Sequence, residues 1–343
     1  MIAAMVKEIE SRKTYLGPEA LTSIYFGGGT PSLLKDDSLS QIFVSINKHF
    51  KIEENAEITL EANPEDISLK KLEFWNSLGI NRLSIGIQSY HDEDLKWMNR
   101  IHSTEQSEEA LDLVDEFGRM EYSLDLIFGS ETTSNQIWIN NLEKAIDRKP
   151  CHISCYALTV EENTALHHFI KKGSKKDSPQ EKIKDQFYLA RKMLIAASYI
   201  HYEISNYSLK NKHAVHNSNY WKSKHYLGIG PSAHSYNGNT RSWNLANNAH
   251  YMSAIETNSN AEVIEELSHK DKYNEFVMTR LRTIWGIKKS EMESMFPEKF
   301  AQHFYNELSS LKDTELILEK GDTFTLSEKA LIIADSVSSD LFY

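Results

Sequence analysis

Ile24-Tyr25-Phe26-Gly27-Gly28-Gly29-Thr30-Pro31 runs a short apolar strand straight into three consecutive glycines, a threonine and a turn-forming proline. Consecutive glycines forfeit backbone entropy and offer no side chain to pack, so a fold keeps them mainly where a ligand must approach the main chain. A plain tight turn would explain such a run by itself. Its company sharpens the reading: of four further strand-like segments, several carry a lone polar residue, namely Glu61, Gln88 and Asp125.

Strand-like segments near 23–28, 57–63, 82–88, 122–128 and 152–159 alternate with helix-like ones. This is the pattern of repeated βα units around a parallel sheet, and it predicts an α/β fold. Helix starts are marked at Ser68, Thr104 and Ser134, each placed before an apolar-periodic stretch and able to cap it. Units of this kind wind in one hand, so all strand C-termini open on the same side. Ligands of α/β sheets and barrels collect at that edge, and the glycine loop lies there too.

The 343 residues are enough for two domains with a full core. A net charge of -11 argues against a non-specific nucleic-acid or anionic-membrane binder, because attraction to phosphate needs a basic surface. No apolar run approaches the length of a membrane span and no signal peptide is evident, which makes the cytoplasm the default compartment. The cysteines, Cys151 and Cys155, fall in a strand-like segment. Four strand residues advance about 13 Å, too far for a disulfide, and two thiols are too few for an iron-sulfur cluster. They are expected to be ordinary buried cysteines.

The glycine loop, Glu61, Gln88, Asp125 and Arg100 in Met98-Asn-Arg-Ile-His102 together resemble the radical S-adenosylmethionine (SAM) proteins of the oxygen-independent coproporphyrinogen oxidase group, and most closely its HemW branch. The resemblance implies an incomplete radical-SAM-type (β/α)6 parallel barrel with a C-terminal winged-helix-like domain. It assigns Gly28, Gly29 and Thr30 to the methionine part of SAM, and Glu61, Gln88, Arg100 and Asp125 to the rest of that pocket. The residue types suit the ligand: exposed backbone for the amino-acid end, carboxylates for ribose hydroxyls, and Arg100 for a carboxylate. The family also carries a Cys-x3-Cys-x2-Cys motif upstream of its first helix, whose thiolates hold a 4Fe-4S cluster. That motif does not occur in this sequence. Met1 opens what reads as the helix after the cluster loop, with Ile2, Met5, Val6 and Ile9 at helical spacing. Reductive cleavage of SAM needs the cluster as electron source, so radical catalysis is not expected of the chain as given. Two origins stay open, a loss of the first few dozen residues from the sequence or a natural remnant.

Residues 1–206 are therefore expected to form the truncated barrel, 207–265 a connecting segment, and 266–343 the winged-helix-like domain, with helices near 271–285, 288–295 and 298–312. A polar stretch at 171–182 reads as a solvated loop without assigned function. The connecting segment holds His216-Asn217-Ser218-Asn219-Tyr220-Trp221. His-Asn-x-x-Tyr-Trp is the signature of the HemW branch, where it is implicated in haem binding. On a helix, His216 and Tyr220 would share a face at i and i+4, roughly 6 Å apart, with Trp221 lining a flat ligand. Imidazole and phenolate both ligate haem iron, and His216 is the candidate iron ligand. A bland alternative is a histidine that merely braces a loop.

Three functions from different classes follow. The leading one is a haem-binding protein that delivers haem to an acceptor; the second is an oxygen-independent coproporphyrinogen III oxidase-like enzyme of porphyrin biosynthesis; the third is a cofactor-free remnant. The acceptor and the oligomeric state are not legible in the sequence.

Overall fold

The computed structural model describes residues 1–160, 165–173, 175, 178–311 and 314–343. Part of the polar stretch at 171–182 and the expected helix end at 312 lie outside the described residues. In chain order the first half holds α1 (Ile2–Ser11), β1 (Leu21–Phe26), α2 (Asp36–His49), β2 (Ile52–Ala62), α3 (Leu69–Ser77), β3 (Arg82–Gln88), α4 (Asp92–Trp97), α5 (Thr104–Phe117), β4 (Glu121–Phe128), α6 (Asn135–Asp147) and β5 (His152–Ala157). Next come α7 (Ala165–Lys171), α8 (Gln180–Ala196), β6 (Ile200–Glu203), β7 (Asn206–Ser208) and α9 (Val215–Trp221). The remainder is β8 (His234–Tyr236), β9 (Thr240–Asn244), α10 (Asn248–Glu256), β10 (Glu262–Glu266), α11 (His269–Leu281), β11 (Ile287–Lys288), α12 (Lys289–Met295), α13 (Glu298–Leu311), β12 (Ile317–Lys320), β13 (Thr323–Leu326) and α14 (Ala334–Ser339).

The expected α/β architecture is present as a seven-stranded sheet of order β1-β2-β3-β4-β5-β7-β6. β2 through β5 pair in parallel. The far edge leaves the βα rhythm, because β6 and β7 form an antiparallel pair and β7 runs antiparallel to β5. The chain divides into two compact units. One is Met1–Ile24, Leu34–Ala56 and Val215–Tyr343; the other is Tyr25–Leu33 and Glu57–Ala214.

The second unit carries the βα repeats. Leu60, Leu83, Ile85, Ile87, Leu124, Leu126 and Ile153 are fully buried, and every residue of β3 is buried, as expected for a strand covered on both faces. Ser68 and Ser134 cap α3 and α6 by accepting from Lys71 N and Ile137 N. For α5 the cap is Ser103, one residue before the expected Thr104. Only at Ser103 can Gln106 return the bond, its side chain accepting from the Ser103 backbone N–H while Ser103 Oγ accepts from Gln106 N.

In the first unit, Ile9 of α1 is buried, as its spacing predicts, and so is Glu8. Glu8 accepts from Tyr251 Oη at 2.6 Å, Asn244 Nδ2 at 2.7 Å and Gly230 N at 2.9 Å. A buried carboxylate must be satisfied in this way. The stretch read as a connection forms α9, the antiparallel sheet β10-β9-β8 and α10, and Tyr251, Ala254 and Ala261 pack with Ala4, Leu245, Met252 and Ile255. These strands of three to five residues show no apolar alternation, so the sequence pattern misses them. Toward the C-terminus, α11, α12 and α13 accompany a three-stranded sheet of order β11-β13-β12. Tyr273, Phe276, Phe300, Phe304 and Phe324 fill its core. The C-terminal segment is a 3-10 stretch Glu328–Ile333 followed by α14.

Candidate functional site

Two groups of candidate residues emerge, one in each unit. In the second unit the strand period of two puts Tyr25 and Gly27 on one face, and Tyr25 Oη donates to Glu61 Oε1 at 2.7 Å. The backbone N–H of Gly28 donates to the other oxygen, Glu61 Oε2, at 3.1 Å. One carboxylate thus fixes the glycine loop. A Cβ at Gly27 would lie 2.4 Å from Tyr25 Cε1 and 2.6 Å from Glu61 Oε1, so any other residue there would have to displace one of these side chains. Gly28 has φ +81, a left-handed backbone that glycine adopts without penalty. Gly28, Gly29 and Thr30 are exposed, leaving their main chain open to a ligand.

The row continues across the sheet. Glu61 stands opposite Ser84 in the parallel register, Ser84 Oγ donates to Asp125 Oδ2 at 2.8 Å, and Asp125 stands opposite Ser154, which also bonds its carboxyl. Burial pushes the Asp125 carboxyl up to about 6, the Ser84 and Ser154 hydroxyls oppose the rise, and the Glu61 charge adds to it. Burial and then the Glu61 carboxylate hold the Tyr25 phenol far above its ordinary value. The phenol therefore stays a donor at physiological pH.

Gln88 ends β3 with φ 64 beside a register shift in the β3–β4 ladder. Gly86 makes room for its amide, since a Cβ there would lie 2.8 Å from Gln88 Nε2. Arg100 is exposed just past α4, its N–H donating to Leu95 O at 2.8 Å. Gln88 and Arg100 lie outside the bonded row. The sequence reading missed Tyr25, Ser84 and Ser154, although Tyr25 could have been found from its two-residue spacing to Gly27.

In the first unit, α9 carries the His-Asn-x-x-Tyr-Trp residues, and the helical prediction holds. His216 Nε2 lies 3.2 Å from Tyr220 Oη, with the rings edge-on at 5.1 Å. His216 Nδ1 lies 3.1 Å from Ser23 Oγ. Burial lowers the half-buried His216 imidazole to about 4. Tyr220 is 40% exposed and packs edge-on against Tyr226 at 4.7 Å. Trp221 is half-buried, with the Arg282 guanidinium 5.3 Å from its ring centre and its carbonyl accepting from Arg280 Nη1 at 2.5 Å. One face of the indole is thus already covered. Asn217 is half-buried beside them.

Cys155 is buried, and Cys151 donates its thiol to Tyr122 O at 3.1 Å. Burial pushes the Cys151 thiol up to about 11. Among the described residues no group of three His, Cys, Asp or Glu side chains is placed to hold a metal ion. Among the same residues no helix is long and apolar enough to cross a membrane.

The profile of the Radical SAM superfamily matches residues 5–155, and that of the HemN C-terminal domain matches residues 267–333. The chain is similar to heme chaperone HemW of Bacillus subtilis, 28% identical over 336 residues, covering 97% of this chain and 89% of the relative. It is similar to heme chaperone HemW of Haemophilus influenzae, 30% identical over 329 residues, covering 94% of this chain and 83% of the relative. Among solved structures it resembles coproporphyrinogen III oxidase (HemN) from Escherichia coli, with TM-score 0.85 and 20% identity over 99% of this chain and 82% of that one. At that identity the likeness concerns the fold alone. The βα sheet, the glycine loop and the whole-length similarity converge on one conclusion: this chain belongs to the HemW family of radical SAM proteins.

Proposed function

We propose that this chain binds haem at the His216–Tyr220 face of α9 and passes it to an acceptor protein. Its relatives are named heme chaperones. The observation that carries the reading to particular residues is the 3.2 Å bond between an imidazole and an exposed phenol, two haem-ligating groups on one helical face. Asn217 and Trp221 flank that face. The likeness to coproporphyrinogen oxidase supports a shared fold, whereas the His-Asn-x-x-Tyr-Trp motif favours haem binding over the oxidase reaction.

In the same reading Glu61 and Asp125 would help hold SAM, with Gly28, Gly29 and Thr30 receiving its amino-acid end and Gln88 and Arg100 serving the remainder. The donor set fits: open backbone at the glycine loop, two carboxylates for hydroxyls, and one exposed guanidinium for a carboxylate. Bound beside a 4Fe-4S cluster, SAM supplies one-electron chemistry. Cys151 and Cys155 do not fit such a cluster, one thiol being spent on a carbonyl and the other buried. The work assigned to these residues is positional: Glu61 holds the loop, and Asp125 and Ser84 set the polarity of the row. The net charge of -11 argues against nucleic acid as a partner of the winged-helix-like part.

Haem titration followed by the Soret band, and then mixing with an apo-haemoprotein, tests the reading. Saturable binding followed by transfer is expected. A Soret change that never saturates, or haem that cannot be passed on, would refute it.

A further inference from the structure

We infer that Tyr220, rather than His216, supplies the atom that binds haem iron, and that His216, Ser23 and Asn219 form a chain of donors holding that oxygen in place. The inference rests on the haem-binding reading of α9. Its starting point is accessibility. Tyr220 is 40% exposed, whereas His216 is half-buried with both ring nitrogens engaged, Nδ1 by Ser23 Oγ at 3.1 Å and Nε2 by Tyr220 Oη at 3.2 Å. Iron could reach an imidazole nitrogen only by breaking one of these bonds and displacing the tyrosine. It could reach the phenol oxygen with the Ser23 bond intact and, with the imidazole proton on Nε2, with the Tyr220 bond intact as well.

The direction of donation supports the same assignment. Asn219, one of the unspecified positions of the motif, points its Nδ2 at Thr22 Oγ1 at 3.2 Å and Ser23 Oγ at 3.5 Å. An amide nitrogen only donates, so Ser23 Oγ accepts there and keeps its own proton available for His216 Nδ1, the arrangement we adopt. A neutral imidazole accepting at Nδ1 carries its proton at Nε2, which then donates to the Tyr220 oxygen. The Tyr220 proton is left pointing away from the chain of donors. The oxygen is held by the His216 bond and the ring by edge-on contacts to His216 at 5.1 Å and Tyr226 at 4.7 Å.

On ligation to ferric haem the Tyr220 O–H bond breaks, an Fe–O bond forms in place of a weakly held water, and the proton leaves to bulk solvent. The iron keeps its oxidation state. The Nε2–H of His216 then donates to a phenolate, and a hydrogen bond to a charged acceptor is stronger than one to a neutral phenol. Tyr220 is the ligand in this assignment, and His216 and Ser23 are positioning residues.

The test is haem titration of the full chain together with resonance Raman spectra of its ferric haem complex, for the parent, Tyr220→Phe, His216→Ala and Ser23→Ala, with circular dichroism to verify folding. The parent is expected to show iron-phenolate vibrations. Tyr220→Phe should lose them and weaken binding by tenfold or more, roughly the loss of one good ligand interaction. His216→Ala should keep the vibrations at shifted frequency, and Ser23→Ala should shift them in the same direction by less, a change that a purely structural role would not produce. Saturable binding by the parent without phenolate vibrations, or a signature that survives Tyr220→Phe and vanishes in His216→Ala, overturns the assignment while leaving haem binding intact. No saturable haem binding by the folded parent removes the haem reading and this inference with it.

Discussion

Tyr25 and Glu61, 36 positions apart, are joined by a 2.7 Å hydrogen bond that leaves the second carboxylate oxygen for the Gly28 N–H. The glycine loop is thus aimed by a side chain pair on adjoining strands. Removing only the phenol oxygen, as in Tyr25→Phe, should leave the fold intact and weaken SAM binding by about tenfold, the usual scale for a lost hydrogen bond to a charged group. Equilibrium dialysis with SAM measures this. Equal affinities in parent and variant would show that Glu61 needs no brace.

Gly27→Ala and Gly29→Ala should behave differently although both are single methyl additions. The first drives a Cβ to 2.4 Å from Tyr25 and 2.6 Å from Glu61; at Gly29 nothing lies within 4 Å of the added atom. Overpacking of the first kind costs about 1–3 kcal/mol, whereas the second should stay within about 0.5 kcal/mol. Urea denaturation of the two variants gives the comparison, and matching midpoints would contradict the crowding seen at Gly27.

Asp125 should make stability depend on pH. Its folded value is raised to about 6 from an ordinary 3.8, so its contribution is fully present below the unfolded value and is lost as pH rises through about 6. At pH near 8 the partly buried charge costs the fold at most about 1–3 kcal/mol, the upper end being a shift of about two units at 1.36 kcal/mol each. Asp125→Asn should therefore be more stable than the parent at high pH, with the difference shrinking as pH falls toward 4. A difference that is flat with pH would mean the carboxyl is not desolvated.

Glu8→Ala should be the most destabilising of these substitutions. It strands Tyr251 Oη, Asn244 Nδ2 and the Gly230 N–H, which have converged on one buried carboxylate. Each unsatisfied buried donor costs about 1–3 kcal/mol, so a loss of about 3 kcal/mol or more is expected. Glu8→Gln retains an acceptor and should lose less. Thermal unfolding of the three proteins ranks them, and an unchanged midpoint for Glu8→Ala would deny the carboxylate its role.

The order of the βα units, the glycine loop, the caps at Ser68 and Ser134 and the helical face shared by His216 and Tyr220 were all legible in the sequence. Each rests on local free energy: period, backbone freedom at glycine, or a side chain reaching a backbone N–H within one turn. Where two local signals competed, at Ser103 and Thr104, the reciprocal bond to Gln106 decided. What only the tertiary structure decided are the pairings across long separations, such as Tyr25 with Glu61, Ser84 with Asp125, Glu8 with Tyr251 and Ser23 with His216. Nothing in the pattern around Glu8 distinguishes a solvated helix glutamate from a buried one. The sheet β10-β9-β8 was likewise invisible, since its short polar strands gain their stability from partners and not from their own sequence. The residue types capable of chemistry are therefore written locally, while the register of strands and the burial of charge set which of them meet and how they ionise.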